Sequence, residues 1–246
     1  MANTTKQNKK STTAIIGFIV IALVVTGFVS IMRYSADVLR SLSGNDKKAA
    51  QYEEFLAPVI MNDPDTFDDV VHADQKQLIS IAIWALLEDD LAPDDYDYVD
   101  EGMLIPKSHI EDKFTTLFGT DVVPTHMSVD GGEGVEFIFD ETREAYIIPI
   151  TGITAIYAPD VVEIDKKGTT IILTVGCLAN TDWTTDNKGN PVAPTPAKYL
   201  RISLRENNDG SFYISAIQSA SASDYVTDTT TTTSSSTEST SAEPAG

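Results

Sequence analysis

The longest uninterrupted run of apolar positions is residues 14–32, AIIGFIVIALVVTGFVSIM, nineteen residues without a charge. At about 1.5 Å per residue such a helix rises roughly 28 Å, close to the hydrocarbon thickness of a bilayer, so a single membrane crossing is predicted. The core is longer than the roughly 7 to 15 apolar residues of a cleavable signal, and its exit, Gly27 to Tyr34, offers no small-residue cut site. An uncleaved signal anchor is therefore expected. No later stretch repeats that length of apolar sequence.

After the anchor the pattern is helical. Ser43, Gly44 and Asn45 are expected to break the chain, and Asp46 to cap a helix through Gln51, Tyr52, Phe55 and Leu56 that Pro58 disturbs or ends. Asn62, Asp63 and Pro64 resemble a second helix start, with a short helical piece running to Val71. Asp74 is placed to cap residues 75–90, whose LISIAIWALL is apolar around nearly its whole circumference and so reads as a buried helix. Residues 88–101 hold eight acids and no base and read as an exposed loop. Ser108 with Glu111 three positions on is the pattern of a capping box. Ile110, Phe114, Leu117 and Phe118 then follow at helical spacing, and Gly119 stands where a C-terminal cap belongs.

From Val122 the period changes to two. Val135, Phe137 and Phe139 alternate with Glu136 and Ile138, and the cluster at residues 131–134 is a turn. Strands are predicted over 145–157 and 160–165, interrupted near Gly152 and Pro159. Lys166, Lys167 and Gly168 then turn the chain into 169–179. A polar loop over 180–196 leads to a last pair, 199–205 and 212–217. In the first of these Leu200, Ile202 and Leu204 face one way, opposite Tyr199, Arg201, Ser203 and Arg205. From Ser219 the Ser, Thr and Ala content is too poor in apolar surface to offset the entropy of ordering. The predicted organisation is a basic tail over 1–13, a transmembrane helix over 14–32, a juxtamembrane linker over 33–46, an α+β domain over 47–218 and a disordered tail over 219–246. In that domain helices pack on a curved, mainly antiparallel sheet.

Charge divides the chain the same way. Residues 1–48 carry seven Lys or Arg and two acids, whereas 49–246 carry ten and thirty-five, a net of +5 against −25. An acidic body repels nucleic acid, so no nucleic-acid partner is expected. It attracts basic proteins or divalent cations, which makes a basic protein or cell-wall partner the candidate beside the plainer reading of a solvating surface. Basic residues flank the anchor almost equally on both sides. The short tail is placed inside and the long domain outside because long domains translocate largely regardless of charge. One cysteine, Cys177, in an apolar run, excludes an internal disulfide framework, and an exported domain without disulfides fits a Gram-positive surface.

The search for chemistry is mostly negative. His72, His109 and His126 are far apart along the chain, each without a second ligand at metal spacing, and read as structural or solvated, with His126 in a strand. No HExxH, GxSxG, phosphate-loop or paired CxxC motif occurs. The acids Asp94, Asp95, Asp97, Asp100 and Glu101 lack the central Gly and terminal Glu of a calcium loop, so no metal or cofactor is assigned. The candidate recognition loop is Asp182, Trp183 and Asp186, an aromatic among turn residues.

In the order of its elements, helices before a curved antiparallel sheet, residues 47–218 resemble NTF2-like and cystatin-like cone folds. In YEEFLAPVI, LISIAIWALL, LIPKSHIEDKFTTLFG, ITAIYAP and FYISAIQS the chain also resembles a group of Firmicute single-pass membrane proteins that carries no assigned activity. Together these readings predict a membrane-anchored extracytoplasmic binding protein without catalysis, with the bacterial cell envelope as its expected setting. The competitors are an NTF2-like enzyme with an acid in a conical pocket, and an acidic inhibitor or scaffold of a basic cell-wall enzyme.

Overall fold

The computed structural model describes residues 44–88, 96–149 and 154–221. The predicted anchor over 14–32, its basic tail, and most of the Ser/Thr-rich tail lie outside these residues. Among the described residues no helix is long and apolar enough to cross a membrane.

The first helix, α1 (Gly44–Ile60), starts at the residues expected to break the chain and runs through Pro58 for its last turn. A proline so close to the end removes one amide from the ladder without stopping the helix. The expected helix over 62–71 does not form. Residues 62–74 instead make a strap, largely extended, with one 3-10 turn at Val70–His72 whose first amides are held by Asp69: its Oδ1 accepts from Val71 N at 3.0 Å. Asp and Pro at close spacing favour such turns over helix, because the Asp side chain competes for the backbone amides. Phe67 joins the sheet as a single bridge to Ile217, with bonds of 2.7 and 2.9 Å.

Helix α2 (Gln75–Glu88) opens as read: Asp74 Oδ1 accepts from Lys76 N at 3.0 Å. Leu78, Ile79 and the run Ile81 to Leu86 are all buried. The acidic region, in contrast, is not all loop. Strands β1 (Asp97–Val99) and β2 (Gly102–Pro106) form a hairpin about Asp100 and Glu101, pairing Val99 with Gly102. Helix α3 (Lys107–Phe118) begins one residue before the expected capping box, with Pro106 at the N-cap and no side-chain cap. Ser108 is thereby moved into the first turn, and Glu111 is released for another partner. Gly119 closes the helix at φ 78° as expected.

The strands then follow as β3 (Val129–Gly132), β4 (Val135–Asp140), β5 (Ala145–Ile148), β6 (Tyr157–Lys167) and β7 (Thr170–Ala179), with a small β8–β9 hairpin (Thr184–Thr185 and Pro191–Val192), β10 (Lys198–Glu206) and β11 (Phe212–Ala220). His126 precedes β3 in an extended segment rather than a strand. Every pairing is antiparallel, as expected. The strands divide into a five-stranded sheet ordered β1-β2-β5-β4-β3 and a four-stranded sheet ordered β11-β10-β7-β6. Pro159 does not interrupt β6: it sits inside that strand opposite Cys177, and β6 is an edge, where a missing amide removes no ladder bond. A bulge between Val161 and Glu163 is covered by buried Glu53 of α1, whose Oε1 accepts from Val161 N at 3.0 Å. Residues β10 was expected to bury, Leu200, Ile202 and Leu204, are buried.

The class is α+β. Helix α1 packs on β6 and α2, α2 on α3 and β3, and α3 on both β2 and β11, so the helical layer joins the two sheets around one core.

Candidate functional site

The strap over residues 62–74 is the irregular feature that the rest of the fold positions. It is pinned at its start by the Asp63–Lys198 ion pair. Next come two bonds between the Asp65 backbone and the Gln77 amide, at 2.8 and 3.0 Å, and the Phe67–Ile217 bridge. Gln218 then donates to Asp68 at 2.7 Å. Along its length lie three adjoining hollows of about 380, 390 and 400 Å³. One lies toward α2 and the β3–β4 turn and is lined by Asp63, Asp65, Asp74, Asp130, Lys76 and Ser80. Its neighbour shares Asp65, Asp74 and Gln77 and adds His72. The third, on the β11 side, holds Asp68, Gln218 and Ser219. Several of these acids have structural duties: Asp74 caps α2, and Asp130 accepts from Gly132 N at 2.8 Å. Asp65 is held by its backbone, is exposed, and lines two of the hollows. Concave surfaces with this many acids favour cationic ligands.

The loop singled out from the sequence sits beyond β7. Asp182 ends a 3-10 turn (Asn180–Asp182) and accepts from the Thr181 hydroxyl at 2.9 Å. Trp183 follows with its side chain half-buried and its indole Nε1 buried without a hydrogen-bond partner. Asp186 turns inward on its own loop, accepting from Lys188 N, Asn190 N and Asn190 Nδ2 at 2.8, 2.8 and 2.9 Å. These three residues share a loop, but the two carboxylates are used to shape it.

The Asn190 side chain, helped by the neighbouring backbone amides, holds the Asp186 carboxyl below its ordinary 3.8. A depressed folded-state value means that this contribution to loop order is present above the ordinary carboxylate range and disappears as pH falls through the folded value. A carbon-13 titration of Asp186 should give a midpoint below 3.8 that rises in Asn190→Ala. An unshifted midpoint in the parent chain would show that the loop is not organised this way.

A third cluster was not foreseen. His126 Nε2 lies 3.0 Å from Glu111 Oε1 on α3, its Nδ1 lies 3.1 Å from the Tyr146 hydroxyl on β5, and its ring stacks on Phe139 of β4 at 5.2 Å. The Tyr146 oxygen accepts the Met127 amide, and a neutral ring that takes the Tyr146 proton at Nδ1 donates from Nε2 to Glu111. Burial pushes the Tyr146 phenol up to about 12. With Tyr146 wholly buried, His126 mostly so and Glu111 partly exposed at the rim, the cluster clamps α3 to the five-stranded sheet. His109 has a related arrangement, 2.9 Å from the Tyr96 hydroxyl. The three members of the clamp are 15 and 20 positions apart, so no local spacing announces them.

Among the described residues no group of three or more His, Cys, Asp or Glu side chains is placed to hold a metal ion. Asp97, Asp100 and Glu101 of the acidic stretch lie on the β1–β2 hairpin, and Asp94 and Asp95 lie outside the described residues. Cys177 is buried, and that burial raises its thiol to about 11. No protein family, curated protein or solved structure matches the chain.

Proposed function

We propose that the chain is a membrane-anchored extracytoplasmic binding protein that works without catalysis. Residues 14–32 hold it in the membrane, and the strap-side hollows receive a basic protein of the cell envelope. The observation that carries this reading is the strap itself: a pinned, irregular segment with adjoining hollows whose exposed carboxylates recur on a body of net charge −25. The antiparallel four-stranded sheet with α1 laid along its edge supports a cone-type fold of the NTF2-like or cystatin-like kind. An enzyme of that kind would use a buried acid lining its pocket. Glu53 is buried, but it lines none of the three hollows and is bonded to the β6 bulge.

The test is binding of oligolysine by the full chain in lipid nanodiscs. Affinity should fall steeply with added salt, since screening shortens the reach of exposed charges, and should fall several-fold in the double variant Asp63→Asn/Asp65→Asn. An affinity indifferent to both salt and the double substitution would count against the hollows as the binding face.

A further inference from the structure

The two ends of α1 lie in different electrostatic surroundings. At its C-terminal end Met61 O accepts from Ile156 N at 2.7 Å, and the chain enters the strap with Asp63, Asp65, Asp68, Asp69 and Asp74. Its N-terminal end, about 25 Å away for a helix of 17 residues, meets the far ends of the four-stranded sheet. There Tyr52 and Phe55 pack on Phe212 at 5.2 and 4.8 Å, and Lys166 and Glu206 both act on the Tyr52 phenol. One helical turn before Tyr52 is Lys48, with Lys47 beside it, both exposed. The β6–β7 turn adds Lys166 and Lys167, and Arg205 is opposite Thr170 on the same rim.

Five of the twelve Lys and Arg of the described residues therefore gather where α1 begins. The acids there are Glu54, Asp165, Glu206 and Asp209. Asp165 pairs with Lys167 at 2.8 Å, Glu206 pairs with Lys166 at 2.6 Å, and Asp209 holds its own turn by accepting from Ser211. This end is near neutral on a strongly acidic body. It is also the end that the chain enters from residues 14–32, across only eleven intervening residues.

We infer that the rim of Lys47, Lys48, Lys166, Lys167 and Arg205 rests against anionic phospholipid headgroups, which turns the strap hollows away from the bilayer. The inference rests on the membrane anchor of the proposed function. It follows from two independent features, the direction of the chain and the placement of charge. The strap end would set Asp63, Asp65, Asp68, Asp69 and Asp74 against an anionic surface, whereas lysines near that surface are attracted within about a Debye length, roughly 10 Å. The long lysine stems can lie along the surface while their ammonium groups reach the phosphates.

The experiment uses the full chain reconstituted in vesicles of zwitterionic and anionic phospholipid that carry a headgroup spin label. A fluorophore is placed on Thr169→Cys in the β6–β7 turn or on Asn187→Cys in the distal loop. Both positions are exposed, and buried Cys177 stays unlabelled. The label at 169 should be quenched several-fold more than the label at 187. That difference should shrink in vesicles without anionic lipid, in high salt, and in the variant Lys47→Glu/Lys48→Glu/Lys166→Glu/Lys167→Glu. The lipid and salt arms need no charge substitution, so a misfolded variant does not spoil the test. Equal quenching at the two positions, or quenching indifferent to anionic lipid and salt, overturns the orientation while leaving the anchor intact. A chain that fails to float with the vesicles after alkaline washing overturns the anchor, and the orientation with it.

Discussion

Replacing Gly102 by Ala should destabilise the domain by roughly 3 kcal/mol or more, at the top of the range for forcing atoms into a filled interior. A Cβ at this position would stand 2.1 Å from the carbonyl oxygen of Ile148 and 2.6 Å from its carbon. These are backbone atoms of β5, the strand that pairs with β2, so no side chain can swing aside. The backbone angle of Gly102 is not the reason, for its φ lies outside the left-handed region. Gly134→Ala separates the two effects. There φ is +80° and nothing lies within 4 Å, so only left-handed strain, on the order of 1 kcal/mol, is added. Urea unfolding followed by tryptophan emission should put the Gly102→Ala midpoint well below that of Gly134→Ala. Trp84 is a fitting reporter, because it is buried against Phe137 and its indole donates to Gly131 O at 2.9 Å. A Gly102→Ala midpoint equal to the parent's would mean that β2 and β5 do not approach as closely as their register requires.

That close approach lies in a part of the fold that the sequence hides. Residues 97–106 follow a dense run of acids, and neither three-residue β1 nor five-residue β2 is long enough to display alternation. The hairpin exists because Met103 and Ile105 find the buried face of a sheet whose other strands come from 129–148. Local pattern carries no trace of such pairing. The legible elements are those whose own period decides their burial. Leu78 to Leu86 is apolar on every side and so must be enclosed; Ile110, Phe114, Leu117 and Phe118 form one stripe; and Leu200, Ile202 and Leu204 form one face of a strand. The strap was misread for the opposite reason. Asn62, Asp63 and Pro64 do carry helix-start chemistry, but Asp63 goes to the Lys198 pair and the following acids to the Asp69 turn and the Asp74 cap. The hollows exist because the strap spans from α1 to α2 without packing flat, and its acids thus mark a place that composition alone could only call acidic.

The clamp around His126 yields the other large effect. Tyr146→Ala should cost about 3–5 kcal/mol, the range for deleting a buried aromatic ring, since Tyr146 is wholly buried between Phe139 at 5.0 Å and His126 at 5.7 Å. The ring and the hydroxyl contribute separately. Tyr146→Phe keeps the ring and removes only the donor to His126 Nδ1 and the acceptor for the Met127 amide, so it should cost about 1–3 kcal/mol, the range for leaving buried polar groups unpaired. It should also change Nδ1. With the Tyr146 hydroxyl gone, Nδ1 loses its hydrogen-bond donor while Glu111 still accepts from Nε2, so the Nδ1 nitrogen-15 shift should move away from that of a hydrogen-bonded bare nitrogen. Glu111→Gln tests the opposite side, because an amide oxygen still accepts from Nε2 while the charge is lost; the parent tautomer should survive there. The shifts thus distinguish a hydrogen-bonded clamp from simple ring packing. If Tyr146→Phe unfolds at the parent midpoint with unchanged imidazole shifts, the hydroxyl does nothing for His126. Helix α3 would then be held to the five-stranded sheet by apolar contact alone.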